Sequence, residues 1–273
     1  MTDHQKTQRV KDDVCSRALI RRIAAMLDFE SSAVQDLNEL PLGWHFALMG
    51  GEVRRSDLRG DGFPGFGVPL PDLGLPRVLL GGRQVTYNHP IAVGDTVVCK
   101  SSLGEIAEKQ IATGRMAIVN ISNELTVSGA SEAAIRETQT YFLLEGQGGH
   151  PKPAQERTKA QFEKTVRPDD TLLFQYSALG FNSHKIHLDR DYARTVEGLP
   201  DLVVNGGLIT LLVTEALRND LGVELRTLKS RHTAPLYVNR DMTIAANPFD
   251  GGWDVLVFDD ANVLAAHMKV EVR

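Results

Sequence analysis

One stretch constrains this chain more than any other: NGGLITLLVTEALRNDLG, residues 205–222. Leu208, Ile209, Leu211, Leu212, Val213, Ala216 and Leu217 leave almost no polar face at helical spacing. A helix that is apolar all round has to be buried nearly all round. The surrounding sequence offers β-structure to bury it. Residues 83–144 alternate apolar and polar and are rich in Val, Ile and Thr, and the chain ends in DMTIAANPF, GGWDVLVFD and NVLAAHMKVEV, which also read as strands. No β-α-β alternation connects them, so the sheet is expected to be antiparallel. Wrapping such a sheet around the helix is the simplest α+β solution.

The pattern occurs on both sides of a break. HPIAVGDTVVC, from His89, resembles APLYVNRDMTI, from Ala234, at an offset of 145 residues, about half the chain. GQGGHPKPAQERTKA between them is polar, holds two prolines and has no period, as a linker does. The expected organisation is an N-terminal unit over 1–145, a linker over 146–161 and a C-terminal unit over 162–273. An N-terminal helix is expected to start at Asp12 or Asp13, with Ile23 and Met26 on its apolar side and Arg17, Arg21 and Arg22 on or near its wet side. The Gly/Pro-rich residues 60–77 cannot hold a long helix or a central strand. With Phe63, Phe66, Val68 and Leu70 as apolar anchors they read as an ordered loop that wraps something.

A net charge of −5 gives no general attraction to nucleic acid or anionic lipid. The N-terminus has no apolar segment of secretory type, and no apolar run is long enough to span a bilayer. Cys15 and Cys99 stand far apart with no ligand-type spacing, so neither a disulfide framework nor a zinc site is expected, and the chain reads as cytoplasmic.

FNSHKIHLDRDYA (181–193) followed by GLPDLVVNGGL (198–208) resembles the MaoC-like (R)-specific enoyl-thioester hydratases. LPLGWHFALMGG, LPRVLLGGRQVTYNHPIAVGD and GRMAIVNISNEL are similar to one branch of that family. It holds the mesaconyl-C4-CoA and itaconyl-CoA hydratases and the fungal mitochondrial 3-hydroxyacyl-thioester dehydratases. The resemblance implies a double hotdog, each half an antiparallel sheet around a long central helix, with the chemistry in the second half and none in the first.

Hydrating an α,β-unsaturated thioester needs a base for water, a proton for the α-carbon and donors for the charge that grows on the thioester oxygen. His187 suits the base, since an imidazole exchanges protons near neutral pH. Asn182 stands where the resemblance implies Asp; an amide cannot accept a proton as a carboxylate does, though it can hold water or orient the imidazole. The resemblance assigns the oxyanion donor to the Gly206 N–H at the start of the buried helix, where free N–H groups and the positive dipole end lie. Asn205 replaces the His usual there and either caps the helix or faces the substrate. Lys185 is either exposed or meets a CoA phosphate or a substrate carboxylate. Arg77 or Arg83 is the expected partner of a free substrate carboxylate, which a guanidinium binds in bidentate fashion. His184 and His187 share a three-residue spacing, but no recognised shell completes a metal site. Asp189, Arg190, Asp191 and Arg194 read as a short solvated helix.

The expected activity is a cofactor-free hydration and dehydration of an acyl-CoA, with coenzyme A present only as part of the substrate, in a homodimer. A short branched dicarboxylyl group is the leading substrate. A thioesterase on the same fold, or an acyl-thioester binding protein without catalysis, are the alternatives.

Overall fold

The computed structural model describes residues 8–146, 153–154 and 159–273. In chain order the elements are β1 (Gln8–Val14), α1 (Arg17–Met26), β2 (Arg77–Tyr87), β3 (Thr96–Ile111), β4 (Gly114–Val127) and β5 (Ile135–Leu144). Then come β6 (Phe162–Val166), α2 (Asp170–Leu179), α3 (Arg190–Thr195), α4 (Gly206–Leu221), β7 (Leu225–His232), β8 (Met242–Phe249), β9 (Gly252–Phe258) and β10 (Leu264–Val272). The ten strands form one antiparallel sheet in the order β1-β3-β4-β5-β2-β7-β10-β9-β8-β6.

That order is a palindrome. First-half strands β1-β3-β4-β5-β2 are mirrored by β6-β8-β9-β10-β7, and the two sets meet edge to edge at β2 and β7. The 145-residue offset carries Gln84 onto Lys229, and these two residues face each other across the β2·β7 pair, placing a local two-fold between them. A second repeat is seen in the loops. Leu40 N–H donates to Ile91 O and Val93 N–H to Asn38 O, both at 2.8 Å; Val204 N–H donates to Leu236 O at 2.8 Å and Val238 N–H to Leu202 O at 3.0 Å. The same short ladder thus leads into the Gly43 turn in one half and into α4 in the other.

α4 follows from its sequence. Its residues Leu208, Val213 and Leu217 are 0% exposed, and Ile209, Leu211 and Ala216 nearly so. Burying each large side chain contributes about 1.5–3 kcal/mol, enough to hold a helix whose β-branched residues and paired glycines give it ordinary intrinsic propensity. The core is continuous across the halves, with Ile20, Trp44, Leu125, Leu208, Leu225 and Met268 in one cluster.

Two expectations need correction. The chain does not begin with a helix at Asp12 or Asp13: residues 8–14 form β1, paired with β3, and α1 starts after Ser16, whose side chain accepts the Leu19 N–H. Nor does each half hold a long central helix. The 16-residue helix is α4; in the first half the corresponding ladder leads into a five-residue 3-10 turn, Trp44–Leu48. This turn packs onto α4, with the Trp44 indole N–H donating to Glu215 at 2.7 Å. The expected linker, 146–161, lies largely outside the described residues.

Candidate active site

The 182–187 motif is a loop fixed at both ends. Asn182 N–H donates to Ser177 O at 2.8 Å at the end of α2, and the Asn182 side-chain oxygen accepts the His184 N–H at 3.1 Å. Residues Lys185–His187 form a single 3-10 turn. This turn is docked on the segment entering α4: Val203 N–H donates to Ile186 O at 2.9 Å, and His187 Nδ1 lies 2.7 Å from Val203 O. His187 is therefore held against Val203, three residues before Gly206, the first residue of α4.

A carbonyl oxygen only accepts, so His187 Nδ1 carries the hydrogen and the lone pair of the neutral ring is at Nε2. No partner among the described residues bonds that nitrogen. The residue is 8% exposed. Burial, and then the neighbouring His184, push His187 down to about 3 against the opposing Val203 carbonyl. The imidazole is thus neutral at cell pH, with a free acceptor nitrogen beside a helix N-terminus. His184 is 5% exposed, its ring perpendicular to that of His187 with centroids 5.5 Å apart, and burial followed by Arg59 lowers it to about 4. Among the described residues no cluster of three His, Cys, Asp or Glu side chains has metal-binding geometry.

At the start of α4, Asn205 is 3% exposed. Its amide nitrogen reaches Ser177 Oγ only at 3.5 Å, and its buried side-chain oxygen has no partner. It makes no side-chain cap. Ser177 thus sits behind both asparagines. Gly207 packs where no side chain fits, because a Cβ there would collide with the Tyr176 hydroxyl and come within 3.0 Å of Arg83 Nη2.

Arg83 reaches this point from β2. Its side chain is 9% exposed, 3.5 Å from Glu137, and its buried Nε has no partner. Burial would raise Glu137, but Arg83 and then the His45 hydrogen bond at 2.7 Å outweigh it and hold the carboxyl at about 2. Gln139 also donates to Glu137, at 2.8 Å. Arg77 is placed differently. Its Nε is 2.6 Å from Glu197 and its Nη1 donates to Gly146 O at 2.9 Å, so its guanidinium ties β2 to the loop after α3. Lys185 Nζ donates to Gly60 O at 2.7 Å and lies 5.0 Å from the centre of the Tyr192 ring. Asp189 caps α3 by accepting the Tyr192 N–H; Arg190 pairs with Asp170 and Asp201, and Arg194 with Asp201.

His232, at the end of β7, was not among the expected residues. Both its ring nitrogens are sealed from solvent without a partner, and burial, then Arg83, lowers it to about 4. A Cβ on Gly206 would lie 3.2 Å from its Nε2. The repeat contained a signal for it: the 145-residue offset maps His232 onto Tyr87, whose hydroxyl the Gly43 backbone N–H addresses in the first half. Where a tyrosine occupies the helix-start position of the first half, the second half has a shorter side chain and orphaned polar atoms.

Such a site, a free imidazole nitrogen next to a helix start on an antiparallel sheet built from two copies of one motif, belongs to the double-hotdog class. A Mycobacterium tuberculosis protein described as a double hotdog superposes with a TM-score of 0.63 at 12% identity, over 99% of this chain and 97% of the other. HtdX from the same organism gives a TM-score of 0.71 at 18% identity, covering 98% of this chain and 100% of HtdX. The family model for hydroxyacyl-thioester dehydratase type 2 matches residues 43–238, and the chain belongs to that family. Mesaconyl-C(4)-CoA hydratase of Chloroflexus aurantiacus is 31% identical over 248 residues, 89% of this chain and 87% of the relative. The protein is a hydro-lyase that hydrates and dehydrates acyl thioesters.

Proposed function

We propose that the substrate is the CoA thioester of a short branched dicarboxylic acid, such as itaconyl-CoA or mesaconyl-C4-CoA, and that His187 carries the proton transfers. The Chloroflexus relative, whose name specifies mesaconyl-C4-CoA, supports this reading. The observation that carries it is Arg83, a buried guanidinium with an unpartnered nitrogen beside the start of α4, flanked by the unpartnered His232. Buried polar atoms without partners are rare in folded proteins and point to a polar group that arrives with the ligand. A carboxylate satisfies such donors well. Arg77, already bonded to Glu197, is not needed for that role.

In this reading water adds to the β-carbon as His187 Nε2 takes its proton. The electron pair of the double bond moves onto the thioester oxygen, which the Gly206 N–H holds. The resulting imidazolium then returns a proton to the α-carbon, completing net addition of water. The strong lowering of His187 by burial makes that imidazolium a good proton donor. Asn182 orients the water and cannot take its proton, so one histidine performs both transfers. Asn205 lines the acyl side, and Lys185, at the rim, faces the CoA moiety. No cofactor beyond that moiety enters. A cytosolic homodimer is the proposed form, with the free, buried Cys15 and Cys99 suited to a reducing compartment; light scattering at twice the chain mass checks the dimer.

Purified protein incubated with crotonyl-, itaconyl-, mesaconyl-C4- and longer enoyl-CoAs tests the substrate. Loss of the enoyl absorbance without free thiol, fastest for a dicarboxylyl ester, is expected. Release of free CoA would make the protein a thioesterase instead. His187→Ala should lower kcat by about 10²–10⁴-fold with CoA-ester binding kept; near-normal turnover would refute the role of His187.

A further inference from the structure

The Gly/Pro-rich loop of the first half lies directly on the motif of the second. Lys185 N–H donates to Asp61 O at 2.8 Å, Ser183 Oγ to Gly62 O at 2.7 Å, and Lys185 Nζ to Gly60 O at 2.7 Å. Gly62 has φ +77°, and a Cβ there would run into the Ser183 carbonyl. This stitching brings the Asp61 carboxylate inside. It is 7% exposed, one oxygen accepts the Phe63 N–H at 2.9 Å, and the other lies 3.6 Å from His184 Nε2. Phe63 packs against the other side of the arrangement, its ring centre 5.5 Å from that of His184. A chain of three groups, Asp61, His184 and His187, thus leads from the first half to the free Nε2.

The charges around the chain can be enumerated. Arg59 lies 3.1 Å from Asp61 on the loop, Tyr192 of α3 senses the Asp61 charge, the Lys185 ammonium is bonded to Gly60 O beside it, and Val203 presents its carbonyl to His187. Arg59 is 34% exposed and Asp61 only 7%, so solvent screens the cation more than the carboxylate. Arg59 nonetheless reaches His184 and, after burial, lowers it, so the Asp61 carboxylate, 3.6 Å from His184 Nε2, is the anion that opposes that cation at the ring. The motif's own position for a carboxylate holds Asn182, which has no charge to give.

We propose that Asp61 is a positioning residue of the reaction: acting through His184, it supplies from the first half the negative charge that Asn182 cannot, and so supports the imidazolium formed on His187 in each turnover. The inference rests on the hydratase reading, and it gives the first half, expected to take no part in the chemistry, a share in it.

The test uses the full chain and whichever of crotonyl-CoA or mesaconyl-C4-CoA it hydrates faster. Asp61→Asn keeps an oxygen for the Phe63 N–H and removes the charge. It should lower kcat by about 10- to 100-fold while KM stays within about threefold. The acidic limb of kcat/KM should move to lower pH by about half a unit or more, because the base loses a stabilising anion. Asp61→Glu should recover part of both. Ser183→Ala removes one stitch of the loop and no charge, and should leave the limb in place. His184→Asn should reproduce the loss and make a subsequent Asp61→Asn nearly silent, since the carboxylate acts through that ring. Wild-type kcat and limb in Asp61→Asn overturn the proposal, as does a Ser183→Ala limb that moves equally far. If Asp61→Asn does not fold, His184→Asn with wild-type kcat overturns it alone. An inactive His187→Ala beside an unaltered Asp61→Asn would sink this inference and spare the hydratase reading. A wild-type protein that hydrates neither ester, or a fully active His187→Ala, would sink the reading itself.

Discussion

Replacing Arg83 by Met should change how stability depends on pH. Glu137 is fully buried, and in the folded protein Arg83 and His45 hold it at about 2 rather than its usual 4.5. A depression of that size is worth about 3 kcal/mol of folding free energy at neutral pH. This stability is present above pH 4.5 and is lost as pH falls from 4.5 toward 2. Met fills much of the same volume but leaves the carboxylate without its cation, and breaking a buried pair in this way costs about 3–5 kcal/mol. For a chain of this size the melting temperature should drop on the order of 10 °C at pH 8. Without Arg83, burial raises the carboxyl above its usual value. The variant then gains stability on acidification, and its deficit against wild type should shrink between pH 8 and pH 5, a range where the wild-type pair contributes a constant amount. Differential scanning calorimetry at both pH values measures this. A deficit independent of pH, or a variant melting within about 2 °C of wild type at pH 8, would refute the view that Arg83 is the main counter-charge of Glu137.

Gly62→Ala should weaken the seating of the loop on the motif. An alanine at φ +77° costs about 1–2 kcal/mol before its collision with the Ser183 carbonyl is counted, so both melting temperature and kcat should fall; unchanged activity would show that the loop does not set the motif. Asn205→Ala should be nearly neutral for stability, within about 1 kcal/mol, because the buried oxygen it removes is already unpartnered. The same variant should lower kcat/KM in steady-state assays, and a large loss of stability at unchanged kcat/KM would make Asn205 a structural cap.

The second half was the more legible in sequence. An apolar helix with no wet face, preceded by a histidine motif, leaves few arrangements, and α4 with His187 docked on Val203, three residues before its start, is one of them. The strands of the first half alternate clearly enough to be read one by one. What escaped has a common cause, which is that periodicity reports the face a residue occupies and not what crosses over to meet it. Asp61 and His184 are far apart in sequence and meet only because the loop is stitched to Ser183 and Lys185. The His45–Glu137–Arg83 network likewise joins a turn and two strands. Strand β1 reads in sequence as the beginning of a helix, since its acidic residues imitate an N-cap, whereas it forms an exposed edge of the sheet. The missing first-half helix was an over-extension of the repeat: the ladder into Gly43 is duplicated, but the long apolar run behind it is not.

The palindromic sheet has a consequence for how such a chain can be divided. The β2·β7 seam is an ordinary antiparallel strand pair across a local two-fold, the symmetry by which two identical subunits join. Separating the halves after cutting the polypeptide between them would expose the backbone donors and acceptors of β7, and the most compatible partner for that raw edge is β7 of another copy. Fusion into one chain removes that competition. It makes the pairing of a half that carries the histidines with a half that carries Asp61 obligatory, where free subunits would also pair like with like.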